Sequence, residues 1–346
     1  MSSFGSSLLE GALDVRDTAY LLSGLAYYRL CRSTPERAYQ SMVRLFCRTG
    51  GWSNDLISRG VSALRPPAEF PRHDGVLGTL DTSHRSTIST ALERDGYYVF
   101  PQRLSDATCD RLTELALGTP SVAQGAGSNG ADAMLSYESH TPRAVRYELR
   151  PEDLLADETV QELVADWSLL TVAQDYLQAL PVFDIVTMWW HTAFKDTPDA
   201  RAAQFYHFDM DRPRWLKFFF YLTDVDSDNG PHCFIRGSHR SRGIAPDLLA
   251  RGYARLTDEA VAEHYPAPDH ICFTGPRGTI IAEDTRGLHK GQHVLSGDRL
   301  VFQLELTNTL FGGALSPLRL DKLRSDALRE RLAAYPRTFS AFEVER

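Results

Sequence analysis

The sequence predicts an α+β protein whose helices come first and whose strands, in an antiparallel sandwich or barrel, come after. Two observations carry this. VRDTAYLLSGLAYYRLCRS and TPERAYQSMVRLFCRTGG, within residues 15–51, place apolar side chains at helical spacing. From residue 181 onward, VFDIVTMWWHT, LKFFFYLTDV, HCFIRGS, GTIIAED and RLVFQLELTNT are short β-rich runs separated by the turn signals DNGP, TGPRG and LSGDR. Several such strands with glycine turns and no alternating helices suggest the antiparallel sandwich or barrel and put the chemistry in the β part.

The elements follow in order. Thr34 and Pro35 read as the cap and first turn of the second helix, which ends in Gly50-Gly51. Tyr20, Tyr27 and Tyr28 read as a packing stripe on the helix before it. SALRPPAEFPRHDG is rich in proline, so a boundary is expected near residue 70: a helical N-terminal extension over 1–70 and one catalytic-type domain over 71–346. STISTALERDGYYVF reads as a helix running into a strand, and SDATCDRLTELALG as a capped helix. QGAGSNGADAM is a Gly/Asn-rich loop, and PEDLLADETVQELVADWSLLTVAQDYLQAL supplies helices with acids in their first turns.

A net charge of −8 removes the basic footprint that nucleic-acid binding needs. The sequence holds no run of about 18 apolar residues, the length needed to span a bilayer. The N-terminus lacks a basic segment followed by an apolar one, so it does not read as a secretory leader. Cys31, Cys47, Cys109, Cys233 and Cys272 form no CxxC pair, so reduced thiols and a cytoplasmic location are expected.

QFYHFDMDRP, residues 204–213, holds the chemistry. Residues two apart on an extended segment face the same side, so His207 and Asp209 can address one point. A histidine nitrogen with a carboxylate oxygen suits Fe(II) or Mn(II). A third ligand must come from elsewhere, and His289 in EDTRGLHKGQHV follows a strand and sits among glycines. Two histidines and one carboxylate on one face leave open positions for small ligands. Asp211 competes with Asp209 but precedes Arg212-Pro213 and reads as turn chemistry. His191, His232 and His293 read as packed or surface histidines. Lys217 stands on an aromatic strand and reads as a solvent-facing sheet-edge lysine, the cavity being the alternative.

YHFDMD, then LKFFFYLTDVDSDNGPHCFIRGSHR, then GTIIAEDTRGLHKGQHVLSGDRLVFQLEL together resemble the phytanoyl-CoA dioxygenase family of Fe(II)/2-oxoglutarate-dependent oxygenases. The likeness extends upstream to LERDGYYVFPQRLSDATCDRL and covers residues 85–310, leaving the first 70 as an addition. It implies a double-stranded β-helix (jelly-roll or cupin-like), Fe(II) on His207, Asp209 and His289, 2-oxoglutarate as cosubstrate and O2 as oxidant. Arg299, ten residues after His289, is then the cation for the far carboxylate of 2-oxoglutarate. Phe219 and Trp190 are implied as walls of that pocket and Arg146 as approaching it from the loop side. Ser238-His239 is expected to stabilise a turn.

Asp209 stands where the family's halogenases carry a small residue, so hydroxylation of a small molecule's C–H bond is expected, with succinate and CO2 released. Desaturation, ring formation or epimerisation are other outcomes of the same cofactors. A non-enzymatic binding barrel leaves the intact ligand set unexplained, and a metal enzyme independent of oxoglutarate leaves Arg299 unexplained. Specificity is expected from the loop at 121–133, the segment at 136–148 and the insert at 240–270. Arg143, Arg146, Arg236, Arg240 and Arg242 favour an anionic substrate. The N-terminal helices either form a homo-oligomer interface or cover the barrel.

Overall fold

A computed structural model describes residues 2–124 and 132–344, with the side chains of the first helix described from residue 14. Most of the Gly/Asn-rich loop, residues 125–131, lies outside the described residues. Three helices form the N-terminal part: α1 (Ser2–Cys31), α2 (Glu36–Thr49) and α3 (Trp52–Leu64). A Cβ on Gly24 would stand 2.1 Å from Ala38 Cβ, so the close crossing of α1 and α2 depends on that glycine. Asp17, fully buried on α1, receives Arg44 at 2.7 Å and Arg48 at 3.2 Å from α2. Thr34 does not cap α2 as the sequence suggests; its hydroxyl accepts the Gly312 N–H at 3.0 Å and ties the interhelical turn to the barrel. Of the tyrosine stripe only Tyr28 is buried, edge-on to Phe311, while Tyr20 and Tyr27 are exposed.

Helix α4 (Thr82–Asp95), capped by Asp81, and α5 (Asp106–Gly118), capped by Ser105, flank strand β1 (Tyr97–Arg103). Strands β2 (Ser121–Gln124), β3 (Ala133–Leu135) and β4 (Arg146–Leu149) follow, then helices α6 (Pro151–Leu155), α7 (Glu158–Val164) and α8 (Trp167–Leu177). The remaining long strands are β5 (Val182–Thr192), β6 (Trp215–Tyr221), β7 (His232–Ile235), β8 (His270–Phe273), β9 (Thr279–Glu283), β10 (His289–Gly291) and β11 (Asp298–Thr307).

They pair into an eight-stranded sheet of order β1-β9-β6-β11-β5-β4-β2-β3 and a three-stranded sheet of order β8-β7-β10, antiparallel throughout. The two sheets meet where Phe219 of β6 packs on His232 of β7, ring centres 4.6 Å apart. This is a double-stranded β-helix. Alternation sorts its side chains. On β6, Leu216, Phe218 and Phe220 pack outward into the main core with helix α8, whereas Phe219 and Tyr221 join Trp189 and Val301 in a separate inner cluster.

The thiol expectation fails at one pair. Cys233 of β7 and Cys272 of β8 are register partners across the small sheet and form a disulfide, Cα atoms 4.1 Å apart. Cys31, Cys47 and Cys109 are free, so reduced thiols as the ground for a cytoplasmic location hold for these three alone. Among the described residues no helix is long and apolar enough to cross a membrane.

Candidate metal centre

Residues 205–209 run antiparallel to residues 285–289 through a pair of reciprocal bonds. His207 N–H donates to His289 O at 3.0 Å, His289 N–H donates to His207 O at 2.8 Å, and Asp209 N–H donates to Thr285 O at 2.9 Å. This ladder brings His207, Asp209 and His289 together, with one potential ligand atom of each within 4.8 Å of the others. His207 Nε2 lies 3.8 Å from Asp209 Oδ1 and His289 Nε2 lies 3.5 Å from Asp209 Oδ2. Both rings turn Nδ1 to a backbone carbonyl, His207 to Phe205 O at 2.9 Å and His289 to Gly287 O at 3.0 Å. An Nδ1–H that donates there leaves each Nε2 as a lone pair facing the carboxylate, the tautomer a metal requires.

Electrostatics reinforce this. Burial pushes the His289 imidazole down to about 4 and the His207 imidazole well below its usual value, so both are neutral at pH 7. Burial alone would raise the Asp209 carboxyl, but Lys217 and the two histidines hold it well below the usual carboxylate range. The donor set is therefore two neutral nitrogens and one anion, which fits Fe(II).

The adjoining cavity, about 240 Å³, is lined by residues of six strands, β4, β5, β6, β7, β10 and β11, and of the segment at 203–209. Arg299 pairs with His191, Gln303 with both Thr187 and Phe219, and Glu305 with both Ile185 and Lys217, so the interior is a ladder of polar rungs. Arg299 is 2% exposed; its Nη1 donates to Gly230 O and its Nη2 to His191 Nδ1 at 2.9 Å, while Nε has no partner. No carboxylate pairs with it among the described residues. Burial, with Arg146 nearby, lowers its pKa against the opposing influence of Tyr221, as for a buried cation with no carboxylate beside it. The fit to a dicarboxylate cosubstrate is therefore good at both ends.

Phe219 and Arg146 line the cavity, Arg146 lying over the Trp189 ring at 4.4 Å and paired with Glu148 at 3.1 Å. Trp190 does not. It is on the outward face of β5 and stacks on Tyr137, ring centres 4.0 Å apart, while its neighbour Trp189 takes the inward place. Adjacent strand residues point to opposite faces, so choosing the wrong tryptophan inverts the assignment. Lys217 is likewise corrected: β6 lies between β9 and β11 rather than at an edge, and the lysine is buried in the cavity, 2.7 Å from Asp209 Oδ2 and 3.4 Å from Glu305 Oε2.

His191 and His232, read from sequence as bystanders, both line the cavity. His232 Nε2 is 2.9 Å from Glu283 Oε1, and burial raises that carboxyl well above its usual value while holding His232 down at about 3. Strand alternation from Trp189 would have found His191. His293 is outside, 3.4 Å from Gln204 Oε1. Asp211 stays out of the cluster, and its carbonyl accepts the Gly313 N–H at 2.7 Å. Ser238 braces its turn, donating to Ile235 O at 2.6 Å and accepting from Leu288 N–H at 2.8 Å.

Residues 92–300 match the profile of the family described as phytanoyl-CoA dioxygenase (PhyH). No curated protein sequence matches the chain. Among solved structures, it is similar to HygX from Streptomyces hygroscopicus with nickel and 2-oxoglutarate bound, at 17% identity and a TM-score of 0.49 over 72% of this chain and 94% of that one. It is similar to the epimerase SnoN in complex with Fe3+, α-ketoglutarate and nogalamycin RO, at 16% identity and a TM-score of 0.46 over 71% and 92%. It is also similar to EctD from S. alaskensis with 2-oxoglutarate and 5-hydroxyectoine, at 20% identity and a TM-score of 0.44 over 70% and 86%. With the profile spanning more than half of the chain, on a double-stranded β-helix carrying two histidines and a carboxylate at one point, the protein belongs to the phytanoyl-CoA dioxygenase family of Fe(II)- and 2-oxoglutarate-dependent oxygenases.

Proposed function

We propose that the protein hydroxylates an unactivated C–H bond of a small-molecule substrate, with His207, Asp209 and His289 as the iron ligands and Arg299 as the cation for 2-oxoglutarate. The observation that carries this reading is one cavity holding both the convergent donor set and a buried arginine without an acid partner. Bound iron, with 2-oxoglutarate and O2, supplies the oxidising power, and 2-oxoglutarate leaves as succinate and CO2.

The protein's own part is positioning. The carbonyls of Phe205 and Gly287 fix the tautomer of each histidine, so that no proton must be lost from Nε2 before a metal binds. Lys217 holds Asp209 Oδ2, which orients the carboxylate and leaves Oδ1 toward His207. The Arg299 guanidinium, aligned by Gly230 O and His191, offers its remaining N–H groups to a carboxylate. Phe219, Trp189 and Ile185 supply apolar wall and limit water in the cavity. Asp209, a carboxylate rather than a small side chain at that position, supports hydroxylation.

Anaerobic reconstitution with Fe(II), followed by 2-oxoglutarate and O2, tests the reading. Succinate should form at a slow rate even without substrate, and His207→Ala or Asp209→Ala should abolish it while leaving the far-ultraviolet circular dichroism unchanged. Succinate formation by either variant removes the assignment.

A further inference from the structure

A second, larger cavity lies away from the metal centre and shares no lining residue with it. It is a groove of about 610 Å³ between α1 and α3. Leu22, Leu25, Trp52, Leu56, Ile57 and Val61 make its walls, and Leu22, Trp52 and Leu56 are more than half exposed. Its volume is in the range of about 300–1,000 Å³ typical of small-molecule sites. One end is different in kind. Arg29, Arg32, Arg65 and Arg337 line it, and Arg32, Arg65 and Arg337 also line an adjoining cavity of about 240 Å³.

Among the described residues no acidic side chain lines either space. Arg299 apart, several arginines elsewhere in this protein are paired with carboxylates, as in Arg44–Asp17, Arg85–Asp175, Arg212–Asp184 and Arg286–Asp284. None of the four at the groove has such a partner among the described residues; Arg65 is half-buried, and Arg29, Arg32 and Arg337 are exposed at the groove's rim. Half-buried Arg65 shows the cost: burial and the neighbouring charges of Arg337 and Arg32 lower its pKa. A cluster of like charges at the end of an apolar groove is complementary to a ligand with an anionic head and one apolar tail. A second copy of this chain, meeting this face through a two-fold axis, would oppose the same arginines. A neutral apolar ligand would leave them uncompensated.

We propose that this groove binds a single-chain fatty acid, its alkyl chain along Leu22, Leu25, Leu56 and Val61 and its carboxylate on Arg32, Arg65 and Arg337. The geometry suits the chemistry, because guanidinium groups grip a carboxylate through two parallel N–H donors. The proposal stands independently of the metal-site assignment.

Dodecanoate, kept below its critical micelle concentration, is the probe, followed by calorimetry and by the fluorescence of Trp52 with Trp52→Phe as control. Saturable binding of one equivalent is expected, with 1-dodecanol at least tenfold weaker. The double variant Arg65→Gln/Arg337→Gln should raise the dodecanoate Kd at least tenfold. Gly60 lines the groove, and a Cβ there would meet nothing within 4 Å, so Gly60→Leu can send a side chain into the groove without a clash at its Cβ. That variant should lose binding while unfolding at the same temperature as the parent or higher, since leucine favours the helix over glycine. Absence of saturable binding, equal affinity for dodecanol, or binding unaltered by the arginine variants each overturns the proposal. So does light scattering that finds a ligand-free dimer dissociated by Gly60→Leu, which would make the groove a self-interface.

Discussion

Lys217 Nζ lies 2.7 Å from Asp209 Oδ2 and 3.4 Å from Glu305 Oε2, one buried ammonium between two buried carboxylates. The three residues are buried, none more than 9% exposed, on central strands and the segment they cover. Burial pushes the Glu305 carboxyl up, with Lys217 opposing that shift. Removing the shared cation therefore leaves two carboxylates to be neutralised by other means.

Lys217→Met keeps the length of the side chain and deletes its charge. Breaking a buried ion pair by removing one partner costs about 3–5 kcal/mol, and urea unfolding of the metal-free protein should register a loss of that order. Lys217→Met/Glu305→Gln should recover part of it, with a coupling of about 0.5–3 kcal/mol in a double-mutant cycle. Additive losses would show that the pair does not act as a unit.

Arg299 and metal binding should separate cleanly. Arg299→Gln removes a charged donor fork from a buried site, a loss of about 2–5 kcal/mol in comparable desolvated contacts. The KM for 2-oxoglutarate should rise at least 30-fold. Arg299→Lys keeps the charge without the planar fork and should fall between the two. Fe(II) affinity, measured by calorimetry without cosubstrate, should be unchanged in both.

The legible parts of the sequence were those carried by local spacing. His207 and Asp209 are two apart on an extended segment, and the strands announce themselves by composition and by their turns. What misled was set by partners distant in sequence. Whether Lys217 is at an edge or in the centre depends on β9 and β11, more than 60 residues downstream of it. Trp189 and Trp190 are equivalent until the register with Val301 and Glu148 turns Trp189 inward. Cys233 and Cys272 lie 39 residues apart with no motif between them, and only the pairing of β7 with β8 sets them opposite each other. Thr34 looks like a cap by any local rule, and Gly312, from the far end of the chain, takes its hydroxyl.

The disulfide should be worth measuring in its own right. Cys233 pairs with Cys272 on one side and opposes Lys290 on the other, the residue after His289, so the crosslink steadies the sheet that presents a candidate iron ligand. Closing a loop of this length restricts the unfolded chain by about 2–4 kcal/mol. Cys272 is exposed, so dithiothreitol should reach it. Reduction, or Cys272→Ser, is expected to lower the unfolding free energy by that amount, seen as a lower urea midpoint with little change in slope.

Asp284 predicts how stability responds to acid. It is fully buried, accepts from Arg286 at 2.7 Å and from the Tyr176 hydroxyl at 2.5 Å, and its cluster is tied to α3 by the Arg286–Asp55 pair at 3.0 Å. Burial would raise its carboxyl, but Arg286 outweighs it and holds the group at about 2. An unfolded aspartate titrates near about 3.9. A carboxylate whose folded value is the lower one contributes stability that is complete above the unfolded value. That stability is lost as pH falls from about 4 toward about 2. The urea midpoint should therefore drop through this window. In Asp284→Asn, which is less stable at pH 7 because Arg286 keeps only Asp55, the drop should be shallower by one titrating group. A slope identical to that of the parent would mean that Asp284 does not carry the linkage, and that other carboxylates dominate acid unfolding.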